Sequence, residues 1–162
     1  MVFDLDPGDG TGIVECCAVA GHVQDLLHER GTEAFAKTSG SKGLQLYTPL
    51  GSRMTWETLH DTAHEVARSL ERDHPELIVS NMRKELRRGK VLIDWSQNLP
   101  SKTTVAAYSV RGRPEPTVST PVTWEEVRAC ATGGDPAALR FDTAAVLARV
   151  EREGDLFAPL AH

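Results

Sequence analysis

Asp4 and Asp6 are the first residues in the chain whose type and spacing can do chemistry. They lie among Val2, Phe3 and Leu5, in a run closed by Pro7-Gly8. In a strand, residues two apart share a face, so both carboxylates point the same way with side chains within about 7 Å. Pro7-Gly8 then ends the ladder. Two carboxylates at a strand end repel each other unless a cation lies between them, which is how two-metal phosphoryl-transfer sites are built. Taken as a bare motif, the stretch more readily fits two solvated acids ahead of a turn. A third acid, Asp94, closes the apolar run Val91-Leu92-Ile93. Three carboxylates on neighbouring strands can hold two divalent ions about 3.5–4 Å apart. The plain alternative for Asp94 is a strand-end aspartate that caps its own turn.

Ser39-Gly40-Ser41-Lys42-Gly43 offers an anion its backbone N–H groups, hydroxyls and one ammonium. Glycines let backbone approach phosphate closely, and Lys42 adds a point charge. The spacing is not that of a P-loop, and no helix follows. Arg83, Lys84, Arg87, Arg88 and Lys90 form the most basic stretch, opposed by Glu85. Such a run is either a solvated face or a contact to a phosphate backbone. Tyr108 and Arg111 can serve a nucleotide or simply pack. His60-Asp61-Thr62-Ala63-His64 superficially resembles a zinc-protease helix, but with Asp where that motif needs Glu. It reads as two exposed histidines on the flank of an amphipathic helix.

These residues need elements to hold them. Apolar periodicity places helices at 11–30, where Gly31 can end the first, and at 55–73, with Thr55 as cap. Short strands flank the glycine loop at 35–38 and 44–47. A strand at 91–95 follows the basic run, and another is expected at 108–111. Residues 112–121 hold three prolines and read as extended. Thr123 caps a short helix from Trp124, and Asp142 caps a last one to about Glu153. Strands interleaved with helices indicate an α/β or α+β sheet.

The 162 residues suit one domain or part of one, 25% charged and 40% apolar. A net charge of −5 requires any nucleic-acid contact to come from a local basic patch. Cys16, Cys17 and Cys130 have neither zinc spacing nor an even count, which indicates reduced thiols in a cytoplasmic protein. Cys17 falls on the apolar stripe of its helix. No apolar run approaches the roughly 20 residues of a membrane span.

Taken together, Val2-Phe3-Asp4-Leu5-Asp6-Pro7-Gly8, Thr38-Ser39-Gly40-Ser41-Lys42-Gly43-Leu44, Val91-Leu92-Ile93-Asp94-Trp95-Ser96-Gln97-Asn98, Lys102-Thr103-Thr104, Tyr108-Ser109-Val110-Arg111-Gly112-Arg113 and the closing run from Pro116 to Trp124 resemble one family. It is the polymerase domain of bacterial ligase D, within the archaeo-eukaryotic primase superfamily. The resemblance covers essentially the whole chain. It implies a primase-type mixed sheet flanked by helices. It also implies template-dependent nucleotidyl transfer that fills and extends DNA ends in non-homologous end joining, often with ribonucleotides.

By resemblance, Asp4, Asp6 and Asp94 ligate two divalent ions, Mn2+ or Mg2+. Ser39 and Lys42 bind the incoming triphosphate with help from Arg111. Arg83, Lys84, Arg87 and Arg88 belong to a stretch similar to the mobile loop that meets the primer terminus. The motif's histidine is replaced here by Gln45, which donates a hydrogen bond but carries no charge.

Family members also have a long region ahead of the Asp-x-Asp strand, so residues 1–162 are expected to be a single partial domain. Its first strand should then show an unpaired edge. That edge invites self-association or a chain that supplies the missing part. Two rival readings remain: a non-catalytic remnant that binds nucleic acid or a partner in an end-joining complex, and a different two-metal phosphotransferase or nuclease.

Overall fold

The computed structural model describes residues 1–51 and 53–160. In chain order the described elements are β1 (Val2–Pro7), α1 (Ile13–Glu29), β2 (Phe35–Thr38), β3 (Leu44–Tyr47), α2 (Trp56–Asp73), β4 (Ile78–Val79), β5 (Val91–Asp94), β6 (Val110–Arg111), β7 (Thr117–Val118), β8 (Pro121–Val122), α3 (Trp124–Ala131) and α4 (Thr143–Glu153). Six strands form one sheet in the order β4-β5-β1-β3-β2-β8, while β6 and β7 pair separately. Every neighbour in the large sheet is antiparallel except β4 and β5. This is the expected mixed α/β architecture.

Strand alternation sorts the sheet into two faces. Phe3, Leu5, Ala36, Leu44, Leu46, Val91 and Ile93 belong to one buried cluster with Cys17, Val19, Ala20 and Val23 of α1 and Ala63, Val66 and Ala67 of α2. The residues between them, Asp4, Asp6, Lys37, Gln45 and Asp94, therefore emerge on the opposite face. Thr55 caps α2 by accepting from the Thr58 N–H at 3.1 Å. Thr123 and Glu126 cap α3 reciprocally, and Asp142 accepts from the Ala145 N–H at 2.8 Å. Each such cap contributes about 1 kcal/mol. Gly31, at φ 73°, allows the chain to leave α1.

One element goes unread in the sequence, and three expectations change. β4 has only two residues, too few for a period to show. The expected strand at 108–111 shrinks to Val110–Arg111, because Tyr108 sits at φ 65°, outside the extended region. His60 and His64 are half-buried rather than exposed. His64 stacks on Trp95 at 3.7 Å between centroids and His60 meets its edge at 4.8 Å. Finally, β1 is no edge: β5 flanks it on one side and β3 on the other. The sheet's edges are β4 and β8, two residues each. Edges that short give little template for pairing. Cys16, Cys17 and Cys130 are free and buried. No helix among the described residues is long and apolar enough to cross a membrane.

Candidate active site

A row of polar residues crosses the open face of the sheet. Asp94 on β5 lies directly opposite Asp4 on β1, Asp4 opposite Gln45 on β3, and Gln45 opposite Lys37 on β2. Cross-strand partners share a face with Cβ atoms about 4.5–5.5 Å apart, so the row is continuous. Asp6, two residues beyond Asp4, shares that face one rung along.

Asp4 is held in a setting that resists ionisation. Burial, then the Asp6 carboxylate, push its carboxyl up to about 7 from an ordinary 3.8, and Asp94 adds to this. The Gln45 amide and the Lys37 ammonium oppose the shift. Asp6 is raised as well, by desolvation and by Asp94, against the pull of Arg87. Asp94 does cap its turn. One of its oxygens accepts from the Ser96 N–H at 3.0 Å and the Ser96 hydroxyl at 2.6 Å, and the other from the Gln97 amide at 2.8 Å. The cross-strand pairing and the cap coexist, because a carboxylate has about four acceptor positions.

Asp4 and Asp6 open into a cleft of about 420 Å³. Ser39, Lys42, Gln45, Arg87 and Arg111 line it too, together with the segment 103–105. The glycine loop is braced from within. The Ser39 Oγ accepts from the Ser41 and Gly43 N–H groups, each at 3.2 Å, and the Ser39 N–H donates to the Gly43 carbonyl at 2.9 Å. Gly40 is at φ 64°, and a Cβ there would lie 2.7 Å from Cγ of Arg111. Only glycine lets Arg111 cross the loop so closely.

Arg87 donates to the Met82 carbonyl at 2.6 Å, and its buried Nε has no hydrogen-bond partner among the described residues. Gly8 fastens this basic loop to the end of β1, its N–H donating to the Lys90 carbonyl at 2.9 Å.

The seven sequence-derived cleft residues thus meet: Asp4, Asp6, Ser39, Lys42, Gln45, Arg87 and Arg111. Asp94 stands one strand behind the cleft lining. Arg83, Lys84 and Arg88 are exposed and do not line it. Reading by motif missed Lys37 and Ser119. Lys37 donates to Gln45 Oε1 at 2.5 Å and to Ser119 Oγ at 2.7 Å. Strand alternation, which puts Lys37 on the same face as Gln45, was the available signal.

Three carboxylates on one end of one face form a hard-oxygen donor set of the kind Mg2+ and Mn2+ take. Burial first, and then repulsion from Asp6 and Asp94, raise the Asp4 carboxyl, and a bound cation relieves that repulsion. The donor chemistry suits divalent ions, with Asp4 and Asp6 on the cleft lining and Asp94 outside it. Among the described residues, no group of three His, Cys, Asp or Glu side chains is placed so that it could hold a metal ion.

Residues 1–157 match the family described as LigD, primase-polymerase domain. The chain is 48% identical over 156 residues to the multifunctional non-homologous end joining DNA repair protein LigD of Mycobacterium tuberculosis, covering 96% of this chain and 20% of that protein. It is 46% identical over 162 residues to the Mycolicibacterium smegmatis protein LigD, again 20% of its length. The chain thus spans about a fifth of these curated relatives. Among solved structures it is similar to the polymerase domain of Mycobacterium tuberculosis ligase D in complex with DNA, with a TM-score of 0.90 at 46% identity. That match covers 99% of this chain and 54% of the solved one. On its sequence, its fold and the arrangement of its acidic strand and glycine loop, the chain belongs to the LigD primase-polymerase domain family.

Proposed function

We propose that this chain carries the metal- and triphosphate-binding portion of a nucleotidyl-transfer site that acts on DNA ends in end joining. The observation that supports it best is the cleft itself, whose lining brings Asp4 and Asp6 together with Ser39, Lys42 and Arg111. In this reading Asp4, Asp6 and Asp94 hold two divalent ions, Mn2+ or Mg2+. Such ions, when bound, neutralise triphosphate charge and favour loss of the proton from an attacking hydroxyl.

The chain's own residues do the rest. Lys42 and Arg111 bring positive charge to the phosphates, and Arg111 adds a planar fork suited to paired phosphate oxygens. Ser39, already accepting from two loop amides, retains its hydroxyl proton as a donor. Arg87 faces the same cleft from the basic loop, whose exposed Arg83, Lys84 and Arg88 suit a DNA backbone. Positive groups fixed around a phosphoryl centre stabilise charge that grows on the leaving pyrophosphate.

A second reading, binding of ends without transfer, draws support from Asp94, both of whose oxygens are already hydrogen-bonded. One experiment separates the two. The purified chain is offered Mn2+, ribonucleoside triphosphates and a duplex with a 3′-recessed primer. Extension by the wild type that is lost in Asp4→Asn supports transfer. Retention of the duplex and nucleotide without extension supports binding alone. Failure to bind Mn2+ with nucleotide overturns the site.

A further inference from the structure

Lys37 is a buried cation that the acidic strand, the glycine loop and the basic loop do not account for. It is 1% exposed, on the face of β2 that carries the polar row. An unpaired charge in such a place is costly, so its partners carry information. Among the described residues it has two hydrogen-bond partners, both buried: Gln45 Oε1 at 2.5 Å and Ser119 Oγ at 2.7 Å.

An ammonium only donates. Lys37 therefore fixes which end of the Gln45 amide faces it, namely the oxygen. The amide nitrogen is thereby turned to the other side, toward β1, where Asp4 is the direct cross-strand partner. Gln45 favours the ionised form of that carboxyl, as a donor does.

The second contact runs the opposite way. Ser119 Oγ accepts from Lys37 and donates to the Thr38 carbonyl at 2.8 Å, so its proton is assigned too. Thr38 leads directly into Ser39. The Ser119 N–H lies where a Cβ on Gly40 would fall, at 2.9 Å, and neighbouring Thr117 donates to the Gly40 carbonyl at 2.6 Å. Thr117 is also the strand partner of Arg111. One ammonium thus touches both the carboxylate row and the segment that shapes the anion loop.

We propose that Lys37 is a positioning residue of this site: it orients the Gln45 amide toward Asp4 and, through Ser119, ties the carboxylate row to the loop 39–43 and Arg111. The inference rests on the site assignment made above. In it, Gln45 is a donor of fixed direction whose orientation is set from behind by a charge that never meets solvent.

The test is calorimetric binding of ATP with Mn2+ to the whole chain, wild type against Lys37→Met, Gln45→Met and the pair together. Lys37→Met keeps the volume and removes the charge. It should weaken binding about tenfold, as loss of a charge-assisted contact does. Because Lys37 acts through Gln45, the double variant should lose little more than either single one. Ser119→Ala keeps the charge, removes one anchor and should give a smaller loss while melting cooperatively.

Unchanged affinity in Lys37→Met, or fully additive losses, would overturn the proposal. If Asp4→Asn also leaves binding unchanged, the site assignment itself fails. The Gln45 side-chain NH2 resonances then decide. Protection from exchange in the wild type that vanishes in Lys37→Met upholds the orienting role, and identical resonances end it.

Discussion

Asp4 and Asp94 are direct partners on adjacent antiparallel strands, so one carboxyl stands opposite another on the same face of the sheet. The folded chain holds the Asp4 carboxyl at about 7, against 3.8 ordinarily. Between pH about 4 and 7 the folded state keeps a proton that the unfolded state has lost, so stability falls as pH rises through that window. Asp4→Asn removes this dependence. Its melting temperature should match the wild type near pH 4 and exceed it at pH 8. Thermal melts across that range check the expectation, and a variant with no advantage at pH 8 contradicts it.

A divalent cation competes with the same proton. Mn2+ should therefore raise the melting temperature of the wild type at pH 8 and much less so at pH 6. At one hundred times its dissociation constant the gain is about 2.7 kcal/mol. Asp4→Asn should respond weakly at either pH. Equal shifts in both proteins would place the ion elsewhere.

Lys42 stands exposed at the rim of the cleft, and its contribution is a charge directed at phosphate. Lys42→Ala should weaken nucleotide binding by about 1.5–3 kcal/mol, the range for a hydrogen bond to a charged group. Because the side chain is exposed, the melting temperature should scarcely change. Titration calorimetry with ATP and Mn2+, beside a thermal melt, separates the two effects.

Gly8 connects the acidic strand to the basic loop. A Cβ there would lie 1.8 Å from the Arg87 carbonyl oxygen and 2.8 Å from that of Lys90. Both obstacles are backbone, so Gly8→Ala must push the loop away from the end of β1. DNA affinity should fall although every basic residue is retained. Fluorescence anisotropy with a labelled 3′-overhang duplex measures this. Wild-type affinity in Gly8→Ala would mean that the position of the loop is irrelevant to DNA.

Much of the fold is legible because local chemistry and burial agree. α2 runs from its Thr55 cap to Asp73 with Leu59, Ala63, Val66, Ala67 and Leu70 buried, a stripe that helical spacing announces. β2 and β3 stand where the glycine loop brackets them. β4 is different: two residues carry no period, and parallel pairing with β5 creates it. The flank of α2 misleads for a similar reason. His60 and His64 look solvated until Trp95, thirty-odd positions on, folds against them. In the site, residues within one short motif could be found, whereas Lys37 acquires its meaning only from the register of β2 on β3 and from Ser119, 82 positions away.

The central place of β1 also determines how the site comes apart. Its amides are engaged by ladders on both sides, so they exchange with solvent only when the whole sheet opens. The segment 103–105 and the tip of the loop 39–43, which also line the cleft, lie outside the sheet's ladders. In deuterated water the acidic strand should be among the last labelled and those segments among the first. The two acids of the cleft are thus carried by a strand that opens only with the whole sheet.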